Sequence, residues 1–205
     1  MDRIQKIEDL IARGGRFAPR WGFHDDHRDK DGTPEYLPAL QQVRAEFYEL
    51  VEVLDRVVNF GGSALQLGIG ECRASHEVWA CLFPRVVTID WSGTYWIEIR
   101  GERPEINTDA TAAGGDTHSS EMEAFARQFP PFDFLFIDAG HDYADVERDF
   151  ADYGPLVRPG GIIAFHDSLP RKGYEEVEVW RLLSTLGDKI HQIGTEVGVA
   201  WMVKE

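Results

Sequence analysis

Apolar residues recur at helical spacing twice near the start of the chain, and afterwards in short bursts separated by polar and glycine-rich stretches. Ile4, Ile7, Leu10 and Ile11 fall on one stripe of residues 3–12, which predicts a short amphipathic helix. Residues 13–37 hold no period yet carry Phe17, Trp21, Phe23 and Tyr36. An aperiodic stretch so rich in aromatics is expected to pack over something, as a lid would. A second stripe of Val43, Phe47, Leu50, Val51, Leu54 and Val57 predicts a helix from about Pro38 to Phe60, stopped by Gly61-Gly62.

From residue 63 the pattern changes to short apolar strands alternating with helices. Strands are expected at 63–68, 85–90, 105–108, 132–138 and 160–166, and the later helices at 119–129, 143–153 and 174–186. That alternation predicts an α/β fold with a doubly wound, mostly parallel sheet. The tail, DKIHQIGTEVGVAWMVKE, reads as two strands around a Gly-containing turn, an antiparallel hairpin that closes one sheet edge and brings the count to seven strands. The expected organisation is an N-terminal segment of helices and aromatic loop over 1–60, and a sheet-bearing core over 61–205, together forming one domain.

Composition narrows the classes. The chain has 205 residues, 43% of them hydrophobic and 12% aromatic, enough for a full core. No run of about 18 apolar residues occurs, and the charged start MDRIQKIEDLIARGG lacks a leader's apolar stretch, so a cytoplasmic protein is expected. With 36 acidic against 21 basic side chains the net charge is −15. Such a surface repels phosphate backbones and anionic lipid, which argues against nucleic acid and membrane as partners. Association with further copies of the chain stays open. Cys72 and Cys81, nine positions apart in one expected helix, are too far separated for a disulfide and read as buried thiols.

Candidate chemistry gathers where strands end, since in open parallel sheets ligands bind beyond the carboxyl ends. The most telling stretch is FDFLFIDAGHDYADVERDFADYGPLVRPGGIIAFHDS, residues 132–168, in which one strand runs into Asp138 and His141 and the next into His166-Asp167. Two carboxylates placed close together need a cation or a proton between them. Oxygen and imidazole donors suit a divalent cation such as magnesium or manganese, and His141 is a candidate general base. Asp142 and Asp145 read as the charged start of a helix. Gly68 and Gly70 follow the first strand and precede a helix, where small residues let a nucleotide-like ligand approach the backbone. Asp90 ends the next strand 20 positions after Gly70, the spacing at which a carboxylate meets ribose hydroxyls. Asp116, past a third strand, is a candidate adenine-side contact. Ser119 or Ser120 caps the helix that follows, and His118 stays unassigned.

These motifs, GxG after the first strand, the acid ending the second, GDTHS, FIDAGHDY and GPLVRPGGIIAFHDS, resemble class I S-adenosylmethionine (SAM)-dependent methyltransferases. Within them they look like the small metal-dependent O-methyltransferase group that includes macrocin O-methyltransferase and cephalosporin-hydroxylase-like proteins. The likeness spans about residues 60–203. It implies a Rossmann-like methyltransferase fold, SAM bound at Gly68, Gly70 and Asp90 with Asp116 near the adenosine, and a cation held by Asp138, His166 and Asp167. His141 is then placed like the family's catalytic base, and a small-molecule hydroxyl is the methyl acceptor. Three positions depart from the pattern. His166 stands at a metal position where relatives often carry Glu or Asp, which permits a metal but shifts preference away from the hardest ions. Gln66 stands where the family usually carries an acid that reaches the cofactor's amino end, and Cys72 or a neighbour replaces the last glycine. Alternatives from the residues themselves are an NAD-dependent dehydrogenase and a non-catalytic nucleoside-binding scaffold.

Overall fold

The computed structural model describes residues 2–13, 42–69, 74–91, 110–129 and 131–205. Residues 14–37 of the lid expected over 13–37, the expected helix start at 38–41, the strand expected at 105–108, Gly70 and Cys72 lie outside the described residues, and Arg13 ends a helix. Among the described residues two helices come first, α1 (Arg3–Arg13) and α2 (Arg44–Val57). The chain then alternates through β1 (Ser63–Leu67), α3 (Ala74–Leu82), β2 (Arg85–Asp90), β3 (Ala110–Gly114), α4 (Ser120–Ala126), β4 (Phe132–Ile137), α5 (Tyr143–Tyr153), β5 (Val157–His166), α6 (Val179–Leu186), β6 (His191–Ile193) and β7 (Val199–Val203).

The seven strands form one sheet in the order β3-β2-β1-β4-β5-β7-β6. The first five run parallel, whereas β7 pairs antiparallel with β5, and β6 antiparallel with β7. The expected C-terminal hairpin is therefore present at the sheet edge. β5 begins at Val157, three residues before the expected start, because the pairing with β4 shifts register between Phe132 and Phe134 and takes in the irregular Arg158–Gly160 stretch. Asp133 steadies that irregularity: its Oδ1 accepts from Arg158 Nε at 2.7 Å and its Oδ2 from Ser63 N at 2.8 Å. Helix α6 starts at Val179 rather than 174, since Arg171–Val177 folds into successive turns.

Alternation along the central strands divides the core into two layers. Ala64, Phe134, Phe136, Ile162 and Ala164 face the side covered by α1, α2 and α3, around the fully buried Trp79. The Trp79 ring meets Phe134 and Phe136 edge-on at 5.1 and 5.4 Å, the geometry that aromatic quadrupoles favour. Leu65, Leu67, Leu135, Ile137, Ile163 and Phe165 face the other side, under α4, α5 and α6. Ile7, Leu10 and Phe47 belong to the first layer, so the N-terminal helices share the core of the sheet. Among the described residues no helix is long and apolar enough to cross a membrane.

Strand order fixes where a ligand belongs. From β1 the chain steps outward to β2 and β3, then returns to β1's other side for β4 and β5, so the connections leave in opposite directions beyond the carboxyl ends of β1 and β4. Asp138 N donates to Leu67 O at 2.9 Å across that junction. Gly68, with φ +78°, packs so tightly against it that a Cβ would lie 1.9 Å from Asp138 O. No residue with a side chain fits there, and the glycine sets how closely the first turn approaches Asp138.

Candidate active site

Four side chains meet beyond β4 and β5. Asp138 directly follows β4, His166 ends β5, Asp167 comes next, and His141 stands at the entrance to α5. Asp138 Oδ1 lies 3.0 Å from His166 Nδ1 and 3.8 Å from His141 Nε2. Asp167 Oδ2 lies 3.1 Å from His166 Nδ1 and 3.0 Å from His141 Nε2. Each imidazole thus bridges both carboxylates. The His166 side chain is 5% exposed and that of His141 40%, so one lies beneath the carboxylate pair and the other at its mouth.

The charges explain one another. His141 is raised to about 10 by its hydrogen bonds to Asp138 and Asp167, against the opposing effect of burial. His166 carries a larger burial penalty, which lowers it, yet the two adjacent carboxylates overcome this and raise it also to about 10. Burial pushes Asp138 and Asp167 upward, but His166 and the hydrogen bonds from both histidines win and hold them below the ordinary carboxylate range. Two carboxylates hold protons on both imidazoles, and a divalent cation entering between the carboxylates would take the place of those protons. One ligand atom each from Asp138, His141 and Asp167 lie within 4.8 Å of one another, a span that suits one metal ion.

Local structure holds this group in place. Asp142 caps α5, its Oδ1 accepting from Asp145 N at 2.9 Å, as its position predicts. The carbonyl of His141 accepts from Glu178 N at 2.7 Å, and Glu178 Oε2 accepts from Tyr143 N at 3.3 Å. Asp167 has φ +53°, a left-handed conformation that a short polar side chain tolerates better than most. Ser168 N and Leu169 N donate to Gly198 O and Val197 O and so tie the strained position to the β6–β7 turn. Arg171 is bonded to Asp167 Oδ1 and lies over the Tyr174 ring at 4.6 Å.

The residues expected on the cofactor side line the neighbouring strand ends. Ile69 N donates to Asp90 Oδ2 at 2.8 Å, and Gly68 N to Ile89 O at 2.9 Å, so the turn after β1 is fastened to the end of β2. Asp90 pairs in register with Gly114, and Gly115 N donates to Asp90 O at 2.8 Å, which brings Asp116 to the same rim. Asp116 is exposed and accepts from His118 N at 2.9 Å. His118 itself reaches α5, with Nε2 3.3 Å from Asp149 Oδ1. Ser119 is the cap of α4, accepting from Met122 N at 3.3 Å. Gln66 is fully buried and its Nε2 donates to Gly68 O at 2.8 Å and Ser75 Oγ at 2.6 Å. Its Oε1 is buried without a hydrogen-bond partner among the described residues, an acceptor that suits an incoming ammonium donor.

Three contributors are absent from the sequence reading: Gln42, Arg171 and Glu178. Gln42 Nε2 donates to Asp138 Oδ2 at 3.2 Å from 96 residues away. A signal for it does exist, because Gln42 and Glu46 stand four apart beside the apolar stripe of Val43 and Phe47, polar residues on a helix face that is otherwise buried.

The comparisons with known proteins agree with this architecture. Residues 58–168 match the family model described as a methyltransferase domain, and the chain belongs to that family. It is 28% identical over 167 residues to mycinamicin VI 2''-O-methyltransferase of Micromonospora griseorubida, which covers 80% of this chain and 36% of that protein. The chain thus spans about a third of the length of that relative. Similar folds include MycE methyltransferase of the mycinamycin pathway in complex with Mg and S-adenosylhomocysteine (TM-score 0.61, 19% identity, 97% of this chain and 53% of that one). The O-methyltransferase TomG of Streptomyces achromogenes, in complex with SAM, has the same TM-score at 20% identity, covering 81% of this chain and 84% of that one. An O-methyltransferase from Bacillus cereus in complex with S-adenosylhomocysteine covers 100% and 92% at TM-score 0.56 and 18% identity. At these identities the likeness concerns the fold, which is the Rossmann-like methyltransferase fold.

Proposed function

We propose that this protein is a SAM-dependent O-methyltransferase, assisted by a divalent cation, that acts on a hydroxyl of a small molecule such as a sugar, a phenol or a natural product. The observation that carries the reading is the meeting of Asp138, His141, His166 and Asp167 at the switch point of a methyltransferase sheet, beside the Gly68 turn and Asp90. A relative with a 2''-O-methyltransferase name and similar folds solved with Mg and S-adenosylhomocysteine support the same assignment.

In this reading Gly68, Gly70, Asp90 and Asp116 hold the nucleoside part of SAM, and Gln66 Oε1, without a partner among the described residues, accepts from its amino group. Methyl transfer forms a bond between the acceptor oxygen and the methyl carbon, breaks the carbon–sulfur bond in line, and leaves the electron pair on sulfur. The hydroxyl proton must also leave. A divalent cation held by Asp138, His166 and Asp167 would supply the Lewis acidity that makes an alcohol acidic enough at neutral pH. His141 Nε2 stands with the two carboxylates at the spacing of a ligand set, and His166 Nδ1, 3.0 and 3.1 Å from them, would complete the set from beneath when His141 is left free. His141, at the mouth and more exposed, would take the proton once a cation on the carboxylates has displaced the proton they hold on it. The carbonyl bond from Glu178 N and the cap by Asp142 fix the start of α5, and with it the reach of the His141 ring. A dehydrogenase reading leaves this carboxylate–imidazole group without a role.

Calorimetric titration with S-adenosylhomocysteine, with and without magnesium, tests the assignment. The wild type is expected to bind with micromolar affinity. Asp138→Ala should bind S-adenosylhomocysteine about as well yet lose heat attributable to magnesium. No binding of S-adenosylhomocysteine under either condition would overturn the methyltransferase reading, and equal binding of magnesium by Asp138→Ala would overturn the cation site.

A further inference from the structure

A carboxylate can offer a cation one oxygen or both, and the choice sets the coordination number and geometry of the site. In this protein the two oxygens of Asp138 have different surroundings. Oδ1 faces His166 Nδ1 and His141 Nε2, toward Asp167, whereas Oδ2 receives the amide of Gln42 at 3.2 Å. A carboxylate only accepts, so the NH2 end of Gln42 must face it. The Oε1 end is then buried with no partner among the described residues, on a side chain 2% exposed. A buried carbonyl without a partner is destabilising, and an apolar residue of the same length would fill the space without it. The bond to Asp138 is what distinguishes glutamine from such a residue.

The donor is also firmly mounted. Gln42 directly precedes Val43, the residue before α2, and one turn further on the buried Glu46 accepts three backbone N–H groups. Its Oε1 takes Thr195 N and Glu196 N at 3.0 Å each, and its Oε2 takes Gly198 N at 2.9 Å. The same turn offers Gly198 O and Val197 O to Ser168 N and Leu169 N, immediately after Asp167. Both carboxylates of the centre are therefore referred to one turn, Asp138 through Gln42 and α2, and Asp167 through its own chain.

We propose that Gln42 is a positioning residue of the cation centre, which occupies Oδ2 of Asp138 so that Oδ1 alone is presented to the ion. The inference rests on the cation-assisted reading above. Residues outside the coordination sphere that orient ligands commonly change affinity by about 10- to 100-fold when removed. The test is titration of the wild type, Gln42→Met and Gln42→Leu with Mn2+, with free ion followed by electron paramagnetic resonance, alongside S-adenosylhomocysteine affinity and thermal midpoints. Gln42→Met keeps the length and should bind Mn2+ about 10-fold more weakly, with S-adenosylhomocysteine affinity and melting temperature essentially retained. Gln42→Leu also lacks a donor and should weaken Mn2+ binding to a similar extent, with a smaller thermal shift on adding the ion. Wild-type affinity for Mn2+ in the Met variant, or a parallel fall in Mn2+ affinity, S-adenosylhomocysteine affinity and melting temperature, overturns the proposal. If the Met variant does not fold, wild-type Mn2+ affinity in the Leu variant does so. A wild type that binds no Mn2+ counts against the proposed function instead.

Discussion

Gln66 is fully buried on β1, between β2 and β4, and donates to the carbonyl of Gly68 and to Ser75. The family's usual acid at this position would turn an oxygen toward that carbonyl. Gln66→Glu is therefore expected to lower stability by about 2–3 kcal/mol at pH 8, since a fully buried charge loses its hydrogen bond and meets a dipole of the wrong sign. Part of the loss should return toward pH 5, where the acid binds a proton and can donate again. Urea unfolding at the two pH values measures both effects, and a variant as stable as the wild type at pH 8 would refute the argument. Residues at this scale were legible when they ended an apolar run. Asp90, Asp138, His166 and Asp167 stand where strands run out into polar sequence, and the fold brings the last three together. Gln42 and Arg171 were not, because what they touch depends on packing: α2 crosses the sheet to put Gln42 on Asp138, and the turns after β5 fold Arg171 back onto Asp167.

At the scale of elements, α2 is held at its far end by the hydrophobic stripe and near its start by one carboxylate. Glu46 satisfies Thr195 N, Glu196 N and Gly198 N together, and Gly194 beside it has φ +79° with no room for a Cβ, which would lie 2.0 Å from Glu46 Oε1. Glu46→Gln leaves one acceptor oxygen and places an NH2 against a backbone N–H. A loss of about 2–4 kcal/mol is expected, since hydrogen bonds to a charged group contribute more than neutral ones. Amide exchange at Thr195, Glu196 and Gly198 should quicken more than exchange along β7, and a uniform change across the sheet would refute the local account. The hairpin itself was legible from its two apolar bursts and intervening glycines, but the carboxylate that clasps it comes from about 150 residues earlier and leaves no local trace. Element boundaries failed for a similar reason. β5 starts early because Asp133 on its neighbour steadies an irregular Arg158–Gly160 stretch, and α6 starts late because residues after Asp167 make turns that return to His141. In both cases partners elsewhere in the fold override the local pattern.

Across the whole molecule, the two faces of the sheet each bury an ionisable side chain, and the two respond oppositely to acid. On the α3 face His76 is 1% exposed, its Nδ1 2.7 Å from Thr88 Oγ1, and burial lowers it from 6.5 to about 4. On the α5 face Asp149 is fully buried, and burial raises it from 3.8 to about 6 despite the nearby Thr117 and His118. Above pH 6.5 His76 is neutral in both folded and unfolded chains. As pH falls from 6.5 to 4 the unfolded chain takes up the proton first, and on the order of 3 kcal/mol of stability is lost. Asp149 is ionised in both states above pH 6 and carries its burial penalty in full. Between pH 6 and 3.8 the folded chain takes up the proton first, and a similar amount, on the order of 3 kcal/mol, is regained. The two slopes nearly cancel in the wild type, so each becomes visible only when the other is removed. Relative to the wild type, Asp149→Asn should gain stability at pH 7 and lose that advantage by pH 4. His76→Gln should change in the opposite sense and be relatively more stable at pH 4. Urea unfolding of the three proteins from pH 4 to 7.5 reads the differences directly, and groups common to all three drop out of the comparison. If both variants track the wild type in parallel over that range, burial does not shift either group as described, and the acid response of the protein lies elsewhere.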